Sequence, residues 1–138
     1  MYKRQDLVEK EAIIAFFVER AINLGNQDPE LAPIVKQMRS LYGHAQQQCL
    51  ADYSGIYCDP MFEHKKNKSA KNKLSMQVLQ SICSPEDSHV LCEYCIEGLG
   101  SGQRLVIKKS AKQPAIQKRL NFQIEGKAIR YDVYLGIW

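Results

Sequence analysis

Five cysteines and three histidines are the residues of this chain whose chemistry is most easily named. Cys92 and Cys95 form a C-x-x-C pair, and Cys58, His64 or Cys83 would have to complete a tetrahedral set before zinc could be held. A dependable zinc site shows two such pairs. Here five residues separate Cys58 from His64, and Cys83 stands alone. The reading is therefore buried thiols with no metal and no cofactor, since cysteine is among the most buried of residue types. An odd number of cysteines at irregular spacing, in a chain too large to need disulfide staples, also points to a reducing, cytoplasmic compartment.

The run Gly98-Leu99-Gly100-Ser101-Gly102 resembles a phosphate cradle at first sight. Such cradles follow a strand and open a helix, so that backbone N–H groups converge on the anion. The order read here is helix, glycines, strand, which makes the run a connector. For acid–base or nucleophilic chemistry the available groups are His44, His64, His89, Asp132 and the cysteines, and none lies in a motif with mechanical meaning. No catalytic residue is assigned, and an enzyme is the third reading.

The basic residues carry the stronger signal. Of 19 Lys and Arg residues, 13 fall within positions 64–73 and 104–130. Charge is segregated by segment: residues 1–63 balance at −3, residues 64–73 at +5, residues 74–103 at −4 and residues 104–138 at +6. Lys65, Lys66, Lys68, Lys71 and Lys73 form a lysine-only loop suited to neutralising phosphates. Arg119 and Arg130 are read on the outward face of a terminal hairpin beside Asn121, Gln123, Tyr134 and Trp138, with Tyr134 as a stacking platform. Asp132 amid these cations argues instead for a salt-bridged surface. The expected function is a small non-enzymatic binding protein engaging an anionic partner, nucleic acid first. A protein–protein adaptor or inhibitor binding an acidic surface is the alternative.

Those residues need elements to hold them. Asp6 with Glu9 resembles a capping box for a first helix whose apolar residues run from Ile14 to Ile22, ending at Gly25. Asp28-Pro29 opens a second, with Pro33 able to move its start later. Met38, Leu41, Tyr42, Ala45, Cys49 and Tyr53 form its stripe, with Gly43 a weak point. Asp59-Pro60 marks a turn. Leu74 to Cys83 gives a third helix, and Ser84-Pro85-Glu86-Asp87 opens a fourth that closes at Gly98. After residue 102 the periodicity changes from about 3.6 to 2. Arg104 to Ser110 is a strand, and a two-residue turn at Gly126-Lys127 would pair Ile124 with Ile129, Phe122 with Tyr131 and Leu120 with Val133, all on one apolar face.

The fold class expected is thus α+β, with about four N-terminal helices packed on a C-terminal antiparallel three-stranded β-meander. Residues 6–138 read as a single domain, of a size that buries a core of its own. Residues 1–5 read as a non-native scar, since they match a translated sequencing adapter. The longest apolar stretch, residues 12–18, is far short of the roughly 18 residues a membrane span requires.

Overall fold

A computed structural model of the protein describes residues 4–60, 74–82, 86–117 and 119–136. Its contacts separate into two compact units, Met1–Gln48 and Cys49–Trp138.

The first unit is a strand–helix–strand arrangement. Strand β1 (Gln5–Glu9) leads into helix α1 (Ala12–Gly25), a single-turn helix α2 (Ala32–Val35) and strand β2 (Met38–Tyr42). The two strands are parallel, with Asp6 opposite Arg39 and Glu9 opposite Tyr42. This register sets the buried Asp6 carboxylate against the Arg39 guanidinium at 2.9 and 2.7 Å, a two-pronged pair that locks the strands. Gly25 ends α1 where a Cβ would stand 3.1 Å from a Val35 methyl, so its small size lets α2 pack close.

Two expectations change here. The Asp6/Glu9 capping box does not start a helix: Asp6 is spent on Arg39, and the Glu9 carboxylate accepts from the Glu11 N–H at 2.9 Å. The long second helix is broken into α2, β2 and two 3-10 turns, Ala45–Gln47 and Leu50–Asp52. Asp28 Oδ1 accepts from Glu30 N at 2.8 Å, which closes a turn instead of a helix, and the helical turn begins only at Ala32, with Pro33 near its start. Gly43 follows β2 at φ +145°, a backbone setting that a side chain resists. A short run such as residues 38–42 satisfies both periodicities, and pairing with β1 decides for the strand.

The second unit holds a four-stranded mixed sheet in the order β3-β4-β6-β5. Strand β3 (Gly55–Cys58) is parallel to β4 (Arg104–Ser110), and helices α3 (Leu74–Ile82) and α4 (Glu86–Glu97) lie between them in sequence. Strand β6 (Ile129–Leu135) inserts antiparallel between β4 and β5 (Phe122–Glu125). The architecture is therefore a two-stranded parallel sheet in one unit and, in the other, a four-stranded mixed sheet with one parallel pair, each parallel pair joined through helices, which corrects the expectation of four helices on an antiparallel meander. Parallel strands need a helical crossover, and the overlooked strands supply both members of one pair, β1 and β2, and the first member of the other, β3.

The core of this unit is Cys58, Cys92, Cys95, Ile96, Leu99, Leu105, Ile107 and Tyr134, drawn from β3, α4, β4, β6 and the loop after α4. The terminal hairpin pairs Ile124 with Tyr131 and Phe122 with Val133, two residues out of the expected register. A slip of two keeps every side chain on its side of the sheet, so these apolar residues still share a face. That face is the more open one: Phe122, Ile124 and Ile129 are exposed, while Arg130, Asp132 and Tyr134 are buried.

Candidate functional site

In an open α/β sheet, ligands gather beyond the carboxyl ends of parallel strands, where loops converge and side chains reach free of the ladder. Each unit carries an acid at that position.

In the first unit Glu9 is the last residue of β1. Its backbone carbonyl accepts from Gly43 N at 2.9 Å, and its Oε1 accepts from Glu11 N at 2.9 Å beside the start of α1. The carboxylate is thus held at the strand tip with Oε2 unpartnered among the described residues. Beyond β2 the chain turns at Gly43, and the Gln47 side chain accepts from His44 N at 3.2 Å. An acid at the tip of a strand in a strand–helix–strand unit suits the paired hydroxyls of a ribose.

In the second unit Asp59 follows β3, directly before Pro60. Its Oδ2 accepts from Lys108 Nζ at 2.9 Å, Lys108 being near the carboxyl end of the parallel neighbour β4. The Asp59 carboxylate raises the Lys108 ammonium above the ordinary lysine value, more than partial burial lowers it. Tyr57 is raised as well, first by burial and then by the Asp59 charge. Tyr131 stands opposite Lys108 across the β4–β6 pairing. A carboxylate so held can accept a hydrogen bond from a substrate N–H or O–H.

On the other face of this sheet lies a buried charge network. Asp132 is fully buried and accepts from Arg130 Nε at 2.7 Å, Arg130 Nη2 at 3.2 Å and Gln123 Nε2 at 2.9 Å. Arg130 also donates to Ala111 O at 3.3 Å, and Lys109 Nζ to Pro114 O at 2.6 Å, so two cations pin the loop after β4 from inside. Burial pushes Lys109 below the ordinary lysine range, against the pull of Asp132.

The expected binding residues fall as follows. Lys65, Lys66, Lys68, Lys71 and Lys73 lie outside the described residues, as does Trp138. Arg119 is exposed. Arg130 and Tyr134 occupy the covered face, at 8% and 1% exposure. Asn121 is spent locally, its Oδ1 accepting from Leu135 N at 2.8 Å. Cys58, Cys92 and Cys95 come together in the core, Cys58 and Cys95 with sulfurs 3.9 Å apart. The neighbouring thiols and burial hold Cys58 protonated. Cys83 and His64 lie outside the described residues, among which no group of three His, Cys, Asp or Glu is disposed to hold a metal. The glycine run 98–102 joins α4 to β4, and Gly100 N donates to Gln103 Oε1 at 2.6 Å. No described helix is long and apolar enough to cross a membrane.

Glu9, Asp59 and Lys108 were not singled out by sequence reasoning as site residues. The signal for Asp59 was a short apolar run, residues 55–58, ending in Asp-Pro; for Glu9 it was Leu7-Val8 ending in an acid. Both runs are too short to declare a strand until their parallel partners are known.

Parallel strand pairs joined through helices, with a reversing hairpin after the last of them, are the elements of a Rossmann-like fold. A solved SAM-dependent methyltransferase from Neisseria gonorrhoeae shares it at a TM-score of 0.66 and 20% identity, over 94% of this chain and 54% of that one. A family model described as "Putative SAM-dependent methyltransferase" matches residues 3–136, and the chain belongs to that family. Among its relatives are the ribosomal RNA small subunit methyltransferases J of Pseudomonas paraeruginosa, 34% identical over 93% of this chain and 50% of the relative, and of Aeromonas salmonicida, 33% identical over 94% and 53%. The chain spans about half the length of the curated relatives it matches. Family membership overturns the expectation of a non-enzymatic binding protein or adaptor, because the relatives are named as enzymes.

Proposed function

We propose that the protein works in transfer of a methyl group from S-adenosylmethionine to small-subunit ribosomal RNA. The observation that carries this reading is 34% identity to a ribosomal RNA small subunit methyltransferase J across 93% of the chain, joined to an acid at the carboxyl end of one parallel strand in each unit, Glu9 on β1 and Asp59 after β3. The residues present suit the cofactor: Glu9 has a carboxylate oxygen available to accept from ribose hydroxyls, and its other oxygen is already fixed by Glu11 N. When bound, S-adenosylmethionine supplies a methyl group on a positively charged sulfur. The chain's own contribution to the chemistry is Asp59, whose carboxylate accepts a hydrogen bond from the nucleophile and so raises its electron density. RNA phosphates are met by the lysines Lys65, Lys66, Lys68, Lys71 and Lys73 and by Arg119, a reading supported by their charge and by the nucleic-acid substrate named for the relatives.

The test is transfer of labelled methyl from S-adenosylmethionine to small-subunit RNA, with cofactor binding followed separately by calorimetry. Glu9→Gln is expected to weaken cofactor binding roughly ten- to a hundred-fold, the value of a hydrogen bond to a charged group. Cofactor binding without methylation of any ribosomal RNA would defeat the substrate assignment. Unchanged affinity in Glu9→Gln would defeat the ribose assignment.

A further inference from the structure

The Asp59–Lys108 pair carries more than its stability value. Asp59 lies half-exposed after the last paired residue of β3, and a residue before proline is held in extended backbone. Proline has no N–H, so residue 60 offers this carboxylate no backbone donor. Among the described residues the only hydrogen bond to the Asp59 side chain is the one from Lys108, at 2.9 Å. The pairing Tyr57 with Val106 and Cys58 with Ile107 brings Asp59 level with Lys108, so the parallel register itself delivers the ammonium to the acid. Lys108 is in turn flanked by Tyr57 on its own face and by Tyr131 across β6. An exposed ion pair adds little to stability, so its geometry, with Oδ2 engaged and Oδ1 without a partner among the described residues, points to another use.

We infer that Lys108 is a positioning residue: it fixes the Asp59 carboxylate by Oδ2 and thereby presents Oδ1 to the N–H or O–H that is to be methylated. This rests on the reading of Asp59 given above. Lysine suits the task because its ammonium is a compact charge that can hold one oxygen and leave its neighbour open, whereas a guanidinium tends to take both.

The experiment is a cycle of Lys108→Met, Lys108→Arg, Asp59→Asn and the Lys108→Met/Asp59→Asn double variant, assayed for methyl transfer to small-subunit RNA. Lys108→Met is expected to lower kcat roughly ten- to a hundred-fold with KM for both substrates unchanged, the cost of a misplaced reacting group. Lys108→Arg should recover part of the loss, and Lys108→Met should cost nothing further once Asp59 is Asn. In parallel, the Lys108 Nζ resonance reports the hydrogen bond without any turnover. It should shift and exchange faster in Asp59→Asn. A raised KM for RNA at unchanged kcat would make Lys108 a phosphate contact and overturn the inference, as would equal losses from Lys108→Met in both backgrounds or an unmoved Nζ resonance. Full activity of Asp59→Asn would instead sink the reading of Asp59 itself. An inactive Asp59→Asn beside a fully active Lys108→Met would sink the positioning role alone.

Discussion

Asp132 shows how far a single side chain's surroundings decide its meaning. A carboxylate wholly removed from water is tolerated because three donor contacts from Arg130 and Gln123 replace its hydration. Arg130→Met would leave that buried charge with Gln123 as its one hydrogen-bond donor among the described residues, and the expected loss is about 3 to 5 kcal/mol of unfolding free energy in urea titrations. From sequence, Asp132 among cations read as a salt-bridged surface; the pairing was legible and its burial was not, because alternation tells which residues share a face but not which face a helix covers. Tyr134 is the companion case. Burial raises its phenol above the ordinary value near 10, so the folded chain keeps a proton that the unfolded chain sheds. Stability must therefore fall as pH rises above about 10, where the unfolded state binds fewer protons. In Tyr134→Phe that fall should be shallower in melts taken across the alkaline range, with the raised Tyr57 leaving a residual slope. An identical slope in the variant would show that Tyr134 titrates in the folded state as freely as in the unfolded one.

Among the elements, the end of β6 is the tightest fit. A Cβ built on Gly136 would stand 1.6 Å from Gly100 O, and Gly136 N donates to Gln103 O at 2.9 Å. Gln103 is buried, and its amide also donates to Leu50 O and Tyr53 O, so one side chain ties the loop after α4 to the approach to β3. Gly136→Ala cannot be absorbed by a rotamer change, because the obstacle is backbone; we expect a loss of roughly 3 kcal/mol or more, seen as a lowered Tm. Gly55→Ala, which would meet only Arg104 O at an ordinary 3.8 Å, serves as the control with little change in Tm. The elements most legible in the sequence were those with several turns or long alternation: α3, α4, β4 and β6 fall where periodicity put them. The short strands β1, β2 and β3 were not legible, since they are defined by parallel partners 33 or 49 positions away, and each apolar run alone fits a helix as well; the equally short β5 was legible because its hairpin partner follows it directly. The site went unseen for the same reason: an acid at a strand tip has no signature until the strand is known.

At the scale of the whole molecule, charge segregation is the property that survived the change of functional reading. A basic segment that looked like the footprint of a binding protein is equally what an enzyme acting on RNA requires, because phosphate neutralisation is independent of what happens to the base. The two roles separate by salt. If Lys65, Lys66, Lys68, Lys71 and Lys73 each neutralise one phosphate of a single-stranded segment, replacing all five with Gln should flatten the slope of log affinity against log salt by roughly 3.5, at about 0.7 per contact. Arg119→Gln, one exposed cation, should flatten it by about 0.7. Asp59→Asn and Lys108→Met should leave the slope alone if their work is on the nucleophile, although each alters the charge of the same unit. Fluorescence anisotropy of a labelled small-subunit RNA segment, titrated from low to moderate salt, reads all four variants on one scale. A slope unchanged by the five lysine replacements would remove them from the RNA contact. A slope flattened by Lys108→Met would move that residue from the acid it holds to the phosphate backbone.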